Sequence, residues 1–175
     1  RDFLKLSFQK NPSRKNWLID RWNFCRYFSQ IMHGTFDTWP KTVGIWEDEN
    51  NEIVAVVNSQ GEVINRRAGQ AFLQLGDRDF IDGFIEELIV YAESKLALTT
   101  EEGTVINFWV NEDALQIQRL LKRRGYKLLE WKEPMSCMDV ENCLEVELPE
   151  GFKIADANEV GDYHKGFAHG RAFGY

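Results

Sequence analysis

Cysteine is scarce in this chain, and the three present are Cys25, Cys137 and Cys143. An odd number without close spacing supports neither a disulfide framework nor a site of paired thiols, so reduced structural thiols are expected. No apolar run approaches the roughly 18 to 20 residues needed to cross a bilayer. The opening stretch RDFLKLSFQKNPSRKNW is mixed polar and charged where a signal peptide would have an apolar centre. These absences predict a cytoplasmic protein with no membrane partner. Positive charge is in deficit as well. The 21 Lys and Arg stand against 28 Asp and Glu, a formal net charge of -7. That excludes general nucleic-acid binding, which relies on cations neutralising phosphates. The densest basic stretch, RLLKRRGYK at 119–127, falls at the end of a helix pattern, where cations complement the helix dipole on a solvated face.

What is present is enough for a core. With 43% hydrophobic and 13% aromatic residues over 175 positions, the chain holds one full domain and a fragment of another. Leu18, Trp22, Cys25, Phe28 and Met32 recur at helical spacing and predict a helix over 16–32, stopped by Gly34. The β-rich runs TVGIWED and EIVAVVNSQGEVI flank DENNE, a turn sequence, so 42–64 reads as a hairpin. GQAFLQL is a third strand. Ile85, Leu88, Ile89 and Ala92 mark a helix from 84 to about 96. TVINFWV is a fourth strand, EDALQIQRLLKRRG a helix ending at Gly125, and YKLLEW and PMSCMDV two more strands.

Between the third strand and the next helix lies the turn GDRDFIDG, 76–83. Backbone N–H groups at a helix N-terminus, approached through glycines such as Gly76 and Gly83, form a phosphate site. Asp77, Asp79 and Asp82 oppose this, since they place negative charge at the same helix end. Aspartates are also ordinary N-cap residues, so the turn reads as an aspartate-capped helix start.

The order of elements over 16–140, with the landmarks GIWEDENNEIVAVV, AFLQL, IEELIVYAESKL and LLKRRGYKLLEW, resembles the GNAT N-acyltransferase superfamily. The resemblance implies an α+β fold, with a mixed, mostly antiparallel sheet of about six or seven strands flanked by helices. The third and fourth strands pair in parallel because a helix crossover joins them. It also implies acetyl-CoA as cofactor and an amine-bearing small molecule or peptide as acceptor. The cofactor would lie along Leu73, Gln74 and Leu75, with its pyrophosphate at a Gln/Arg-x-x-Gly-x-Gly/Ala loop. Laid on 78–83, that motif matches at Arg78 and Gly83, while Ile81 stands in place of the middle glycine. Asn111, at the end of the fourth strand, suits a pantetheine amide and a helix cap equally. Where many members carry a tyrosine as general acid, this chain has Leu121, which carries no proton to donate. The catalytic residues are therefore unassigned, and acetyl-CoA binding is expected to be weak or lost.

Other chemistry is thin. Glu47, Asp48, Glu49 and Glu52 crowd a hairpin turn and read as solvated turn charges. Asp162, His164 and His169 match no zinc spacing, and no metal is expected. After an acidic connection with Pro149 and Gly151, FKIAD and a helix-like piece resemble the opening of a second GNAT domain. The expected organisation is a GNAT-like domain over 1–145, then a linker and truncated second domain over 146–175. The leading functional expectation is a degenerate N-terminal half supporting a catalytic second domain. A non-catalytic binding or assembly module, and an active acetyltransferase with an atypical loop, are the alternatives. Apolar residues in the tail, Phe152, Ile154, Tyr163, Phe167 and Phe173, predict that FKIAD adds to a sheet edge or pairs two copies as a homodimer.

Overall fold

A computed structural model of the chain describes residues 1–10, 17, 19–28, 31, 34, 36–60, 69–101, 103–134, 147–156 and 158–174. It has two compact units, Arg1–Leu129 and Glu130–Tyr175.

The described residues form five α-helices and five strands. Helix α1 is Asp2–Lys10 and α2 is Ile19–Asn23, which continues as a π-helical turn, Phe24–Phe28. A 3-10 turn, Trp39–Thr42, leads to β1, Gly44–Glu47, and β2, Ile53–Asn58. Strand β3 is Gly69–Leu75, α3 Asp82–Lys95, β4 Leu98–Thr100, β5 Gly103–Trp109 and α4 Leu115–Arg123. In the second unit, α5 spans Asp162–Phe173.

The sheet order is β1-β2-β3-β5-β4. Strands β1, β2 and β3 are antiparallel neighbours, and β5 with β4 is antiparallel too. Strands β3 and β5 run parallel, from Gly69↔Ile106 to Phe72↔Trp109, as a crossover through α3 requires. The mixed, mostly antiparallel α+β architecture thus matches expectation, with five strands where six or seven were expected.

Two local expectations change. YKLLEW is not a strand: Tyr126 to Trp131 carries no ladder, and Leu128 is 93% and Trp131 65% exposed. Its β-favouring residues need a pleated neighbour to pack on, and among the described residues none pairs with them. FKIAD at 152–156 is likewise irregular, although the helix after it forms. PMSCMDV lies outside the described residues beyond Pro134, as do Cys137 and Cys143. Two elements were missed in the sequence: α1, whose nine residues read as a mixed polar and charged opening, and β4, whose three residues are too few to show an alternation.

The alternation of each strand divides the core in two. On one face Ala55, Val57, Ala71, Leu73, Leu75 and Ile106 pack against Ile85, Leu88, Ile89 and Ala92 of α3 and Ile117, Leu120 and Leu121 of α4. On the other, Val56 and Phe72 meet Leu4, Trp22, Cys25 and Trp39. Gly69 is needed where β3 begins, because a Cβ there would lie 1.9 Å from the Leu96 carbonyl oxygen. Gly125, at φ +89, ends α4 as expected, with its N–H and that of Tyr126 donating to the carbonyls of Lys122 and Leu121.

Candidate functional site

In a sheet with parallel strands, ligands favour the crevice beyond the strands' carboxyl ends. Here that place lies past β3 and β5, between the turn 76–81 and the segment 110–114. Pairing between the two strands stops at Phe72↔Trp109, so Leu73, Gln74 and Leu75 run on without a β5 partner in the register.

The three residues differ in what they offer. Leu73 and Leu75 are buried in the aliphatic core. Gln74, 2% exposed, faces the aromatic side, where its Oε1 accepts the backbone N–H of Trp17 at 3.2 Å. The Trp17 ring stands edge-on to Phe72 at 5.5 Å and to Trp109 at 5.7 Å, and its Nε1 donates to the Trp109 carbonyl at 3.5 Å. Trp17 therefore bridges β3 and β5 where their ladder ends.

The turn after β3 starts with Gly76, whose N–H donates to the Val54 carbonyl at 2.8 Å. Arg78 reaches the β1–β2 hairpin, where its Nη2 bonds Asp48 Oδ2 at 2.9 Å. That bond and backbone N–H groups of the hairpin hold the Asp48 carboxyl below its usual range. Asp48 also orders the hairpin itself, its Oδ1 accepting the N–H of Asn50 and Glu52. Of the four turn acids, this one has a structural task.

The expectation of an aspartate cap needs correcting. The N-cap of α3 is Ile81, in extended conformation at φ -70 and ψ 154 and 78% exposed, and no side chain caps this end. Asp82 is the first helical residue, favoured there by the dipole. It is held from α4: Gln116 Nε2 donates to Asp82 Oδ1 at 3.0 Å and to the Phe80 carbonyl at 2.8 Å. Arg119 Nη2 lies 2.7 Å from Oδ1 and Arg123 Nη2 3.3 Å from Oδ2, with a further bond from Arg123 to Glu86 at 3.1 Å. The Gln116 hydrogen bond and the two guanidinium groups hold the Asp82 carboxyl below its usual range, against the opposing effect of desolvation. Gln116, Arg119 and Arg123 were missed as site residues, although their spacing of three and four put them on one helix face.

These residues fit a pyrophosphate poorly. An anion at the first turn of α3 would meet the carboxylate of Asp82, whose cations are already matched to it. Gly83 has open space where a Cβ would be, so nothing in the protein itself requires glycine there. Asn111 is not the cap of α4 either. The N-cap is Ala114, and Asn111 contributes its carbonyl to the N–H of Ala114 and to Gln118 Nε2.

Among the described residues, the position expected to carry a general acid and its nearest hydroxyl are both unsuited to proton transfer. Leu121 is 7% exposed in the aliphatic core. The nearest hydroxyl in sequence, Tyr126, donates to Glu93 Oε1 at 2.9 Å, and burial and the Glu93 carboxylate push its pKa up, which disfavours ionisation. Arg124 grips Glu93 through Nε and Nη2. Burial would raise the Glu93 carboxyl, but the bonds from Arg124 and Tyr126 outweigh it and hold it below the usual range. This is a clasp between α3 and the end of α4, and it accounts for Arg124 of the basic stretch.

Away from this crevice, among the described residues no three metal-ligating groups gather, and Asp162 pairs with Lys165 at 2.6 Å. No helix among them is long and apolar enough to cross a membrane. No family model, curated protein or solved structure matches the chain.

Proposed function

We propose that the first compact unit is a GNAT-type N-acyltransferase domain that no longer catalyses, and that it supports a catalytic domain of the same kind beginning near residue 146. The element order and the parallel β3–β5 pair support the type of domain. The observation that carries the loss of reaction is Asp82, fixed at the first turn of α3 by Gln116, Arg119 and Arg123. An internal anion there takes the place of a phosphate. Leu121, lacking a proton, supports the same reading. Acetyl-CoA and an amine acceptor then belong to the second domain, and this unit shapes and steadies it.

Isothermal titration of the chain with acetyl-CoA tests this. The expected dissociation constant is weaker than about 1 mM, or about -4.1 kcal/mol. A value near 1 μM would mean that the atypical turn still works and the unit is itself an acetyltransferase. The double variant Ile81→Gly, Asp82→Ala removes the branched side chain and the internal anion, and it should bind measurably tighter. Failure of both proteins to bind would discard the GNAT-type placement of the turn.

A further inference from the structure

Among the described residues the outer strand β1 has no neighbour beyond it in the sheet order. Exposed strand edges are normally blunted by charge or proline, because their unpaired N–H and C=O groups recruit other strands. This edge carries its charges at the ends, and its middle presents Ile45, 56% exposed. Beside it lies a groove of about 420 Å³ whose walls include Trp22, Tyr27, Phe36, Trp39 and Ile45, together with one cation, Arg26. Tyr27 and Phe36 are also about half exposed, at 47% and 52%. A patch this apolar along a free edge marks an interface. Among the described lining residues Arg26 is the one charged group, and a single cation does not make the convergent polar set that orients a small ligand.

Polar groups stand at the ends of the strand. Lys41 is exposed just before β1, and Glu47 and Glu49 stand at its far end. None of the three makes an ion pair among the described residues. A cation at the start and carboxylates at the end are self-complementary when the same strand is laid antiparallel on itself.

We propose that β1 is a homodimer edge, pairing antiparallel with β1 of a second copy about a two-fold axis at Ile45. In this register Ile45 lies opposite Ile45 of the second copy and Gly44 opposite Trp46, which brings the Lys41 end of each strand toward the Glu47 and Glu49 end of the other. The bulge between Trp46 and Glu47 confines the ladder to the first three residues of the strand. The two sheets become continuous and the two aromatic grooves meet across the axis, so each edge is satisfied by the other. The pairing is independent of whether the unit once bound acetyl-CoA.

Sedimentation of the full chain over a wide concentration range is the test. A concentration-dependent dimer is expected. Ile45→Lys should raise its dissociation constant at least about tenfold, with an unchanged far-UV spectrum because Ile45 is exposed. Lys41→Glu should weaken the dimer, and Lys41→Glu with Glu49→Lys should restore it, which a general loss of stability would not do. Ile45→Cys should yield a disulfide-linked dimer on oxidation. Leu98→Lys at the opposite edge and Ile154→Ser in the tail should leave association unchanged. A chain that stays monomeric throughout, or a dimer indifferent to Ile45→Lys, overturns the proposal. So does a dimer lost with Ile154→Ser and kept with Ile45→Lys, which would assign association to the tail.

Discussion

The two faces of the sheet bury their residues by different means. The face under α3 and α4 is aliphatic, with Leu88, Ile89, Ala92 and Leu120 wholly buried, and it is bordered by the Asp82 and Glu93 networks. The face under α1 and α2 is aromatic, with Trp22 edge-on to Trp39 at 5.4 Å and Phe72 stacked on Trp109 at 5.9 Å. Among the described residues it holds three buried polar atoms with no hydrogen-bond partner there, Trp22 Nε1, Asn23 Oδ1 and Asn58 Oδ1. It also passes through a π-helical turn and opens into the groove beside β1. Native interiors leave few polar atoms unpaired, and π-turns recur where function overrides regularity. The aliphatic face is therefore the more regular of the two, and the aromatic face is the one that borders the proposed dimer edge.

The sharpest break of that contrast is a pair of truncations. Leu88→Ala removes a fully buried side chain from the aliphatic face and should cost about 2 to 5 kcal/mol. Phe36→Ala, in the aromatic groove and half exposed, should change stability by no more than about 0.5 kcal/mol. Urea unfolding of both proteins gives the comparison. Equal losses would mean that the groove is as much a part of the core as α3.

A smaller effect separates neighbouring residues of one strand. Leu73 and Gln74 point to opposite faces, so the same replacement tests each. Leu73→Met conserves volume in an apolar setting and should cost under about 1.5 kcal/mol. Gln74→Met keeps the shape but removes the acceptor for the Trp17 N–H, leaving a part-buried donor unpaired at about 1 to 3 kcal/mol. Near-UV circular dichroism should change only for Gln74→Met, because Trp17 packs on Phe72 and Trp109 through that anchor. If Leu73→Met is the costlier, the polar tie is not what holds Trp17 across the strands.

The sequence carried the aliphatic face better than the aromatic one, for a physical reason. Ile85, Leu88, Ile89 and Ala92 repeat with the period of a helix, and GQAFLQL followed by a crossover leaves few options but a parallel pair with β5. On the other face, the helix expected over 16–32 is α2 with a π-turn in its described part, because a π-turn shifts the period that defines the reading. YKLLEW read as a strand because β-propensity records a residue's fit to a neighbouring strand, which local sequence cannot supply. At the site, the departures at Ile81 and Leu121 were legible. The partners of Asp82 were not, since they come from a helix 34 to 41 residues further on.

The smallest expected effect tests whether charge closes the aliphatic face at Asp82. The group is solvent-exposed, and exposed ion pairs contribute little individually because water and salt screen them. Asp82→Asn retains an oxygen for Gln116 while removing the charge that Arg119 and Arg123 face. It therefore isolates the ion pairs from the hydrogen bond. The carboxyl is held below its usual 3.8 in the folded chain by Gln116 first and then by the arginines. A depressed folded pKa makes a contribution that is present above the unfolded value and lost as pH falls through the folded one. Wild type should therefore exceed Asp82→Asn in urea midpoint at pH 7 and low salt, and the gap should begin to shrink as the pH falls below about 4 and close only below the depressed folded value. It should narrow at pH 7 when salt is raised. A gap that persists in acid and ignores salt would trace to repacking around Gln116. The α3 terminus would then be held by shape and hydrogen bonds, and the internal anion would lose its standing as the group that displaces a phosphate.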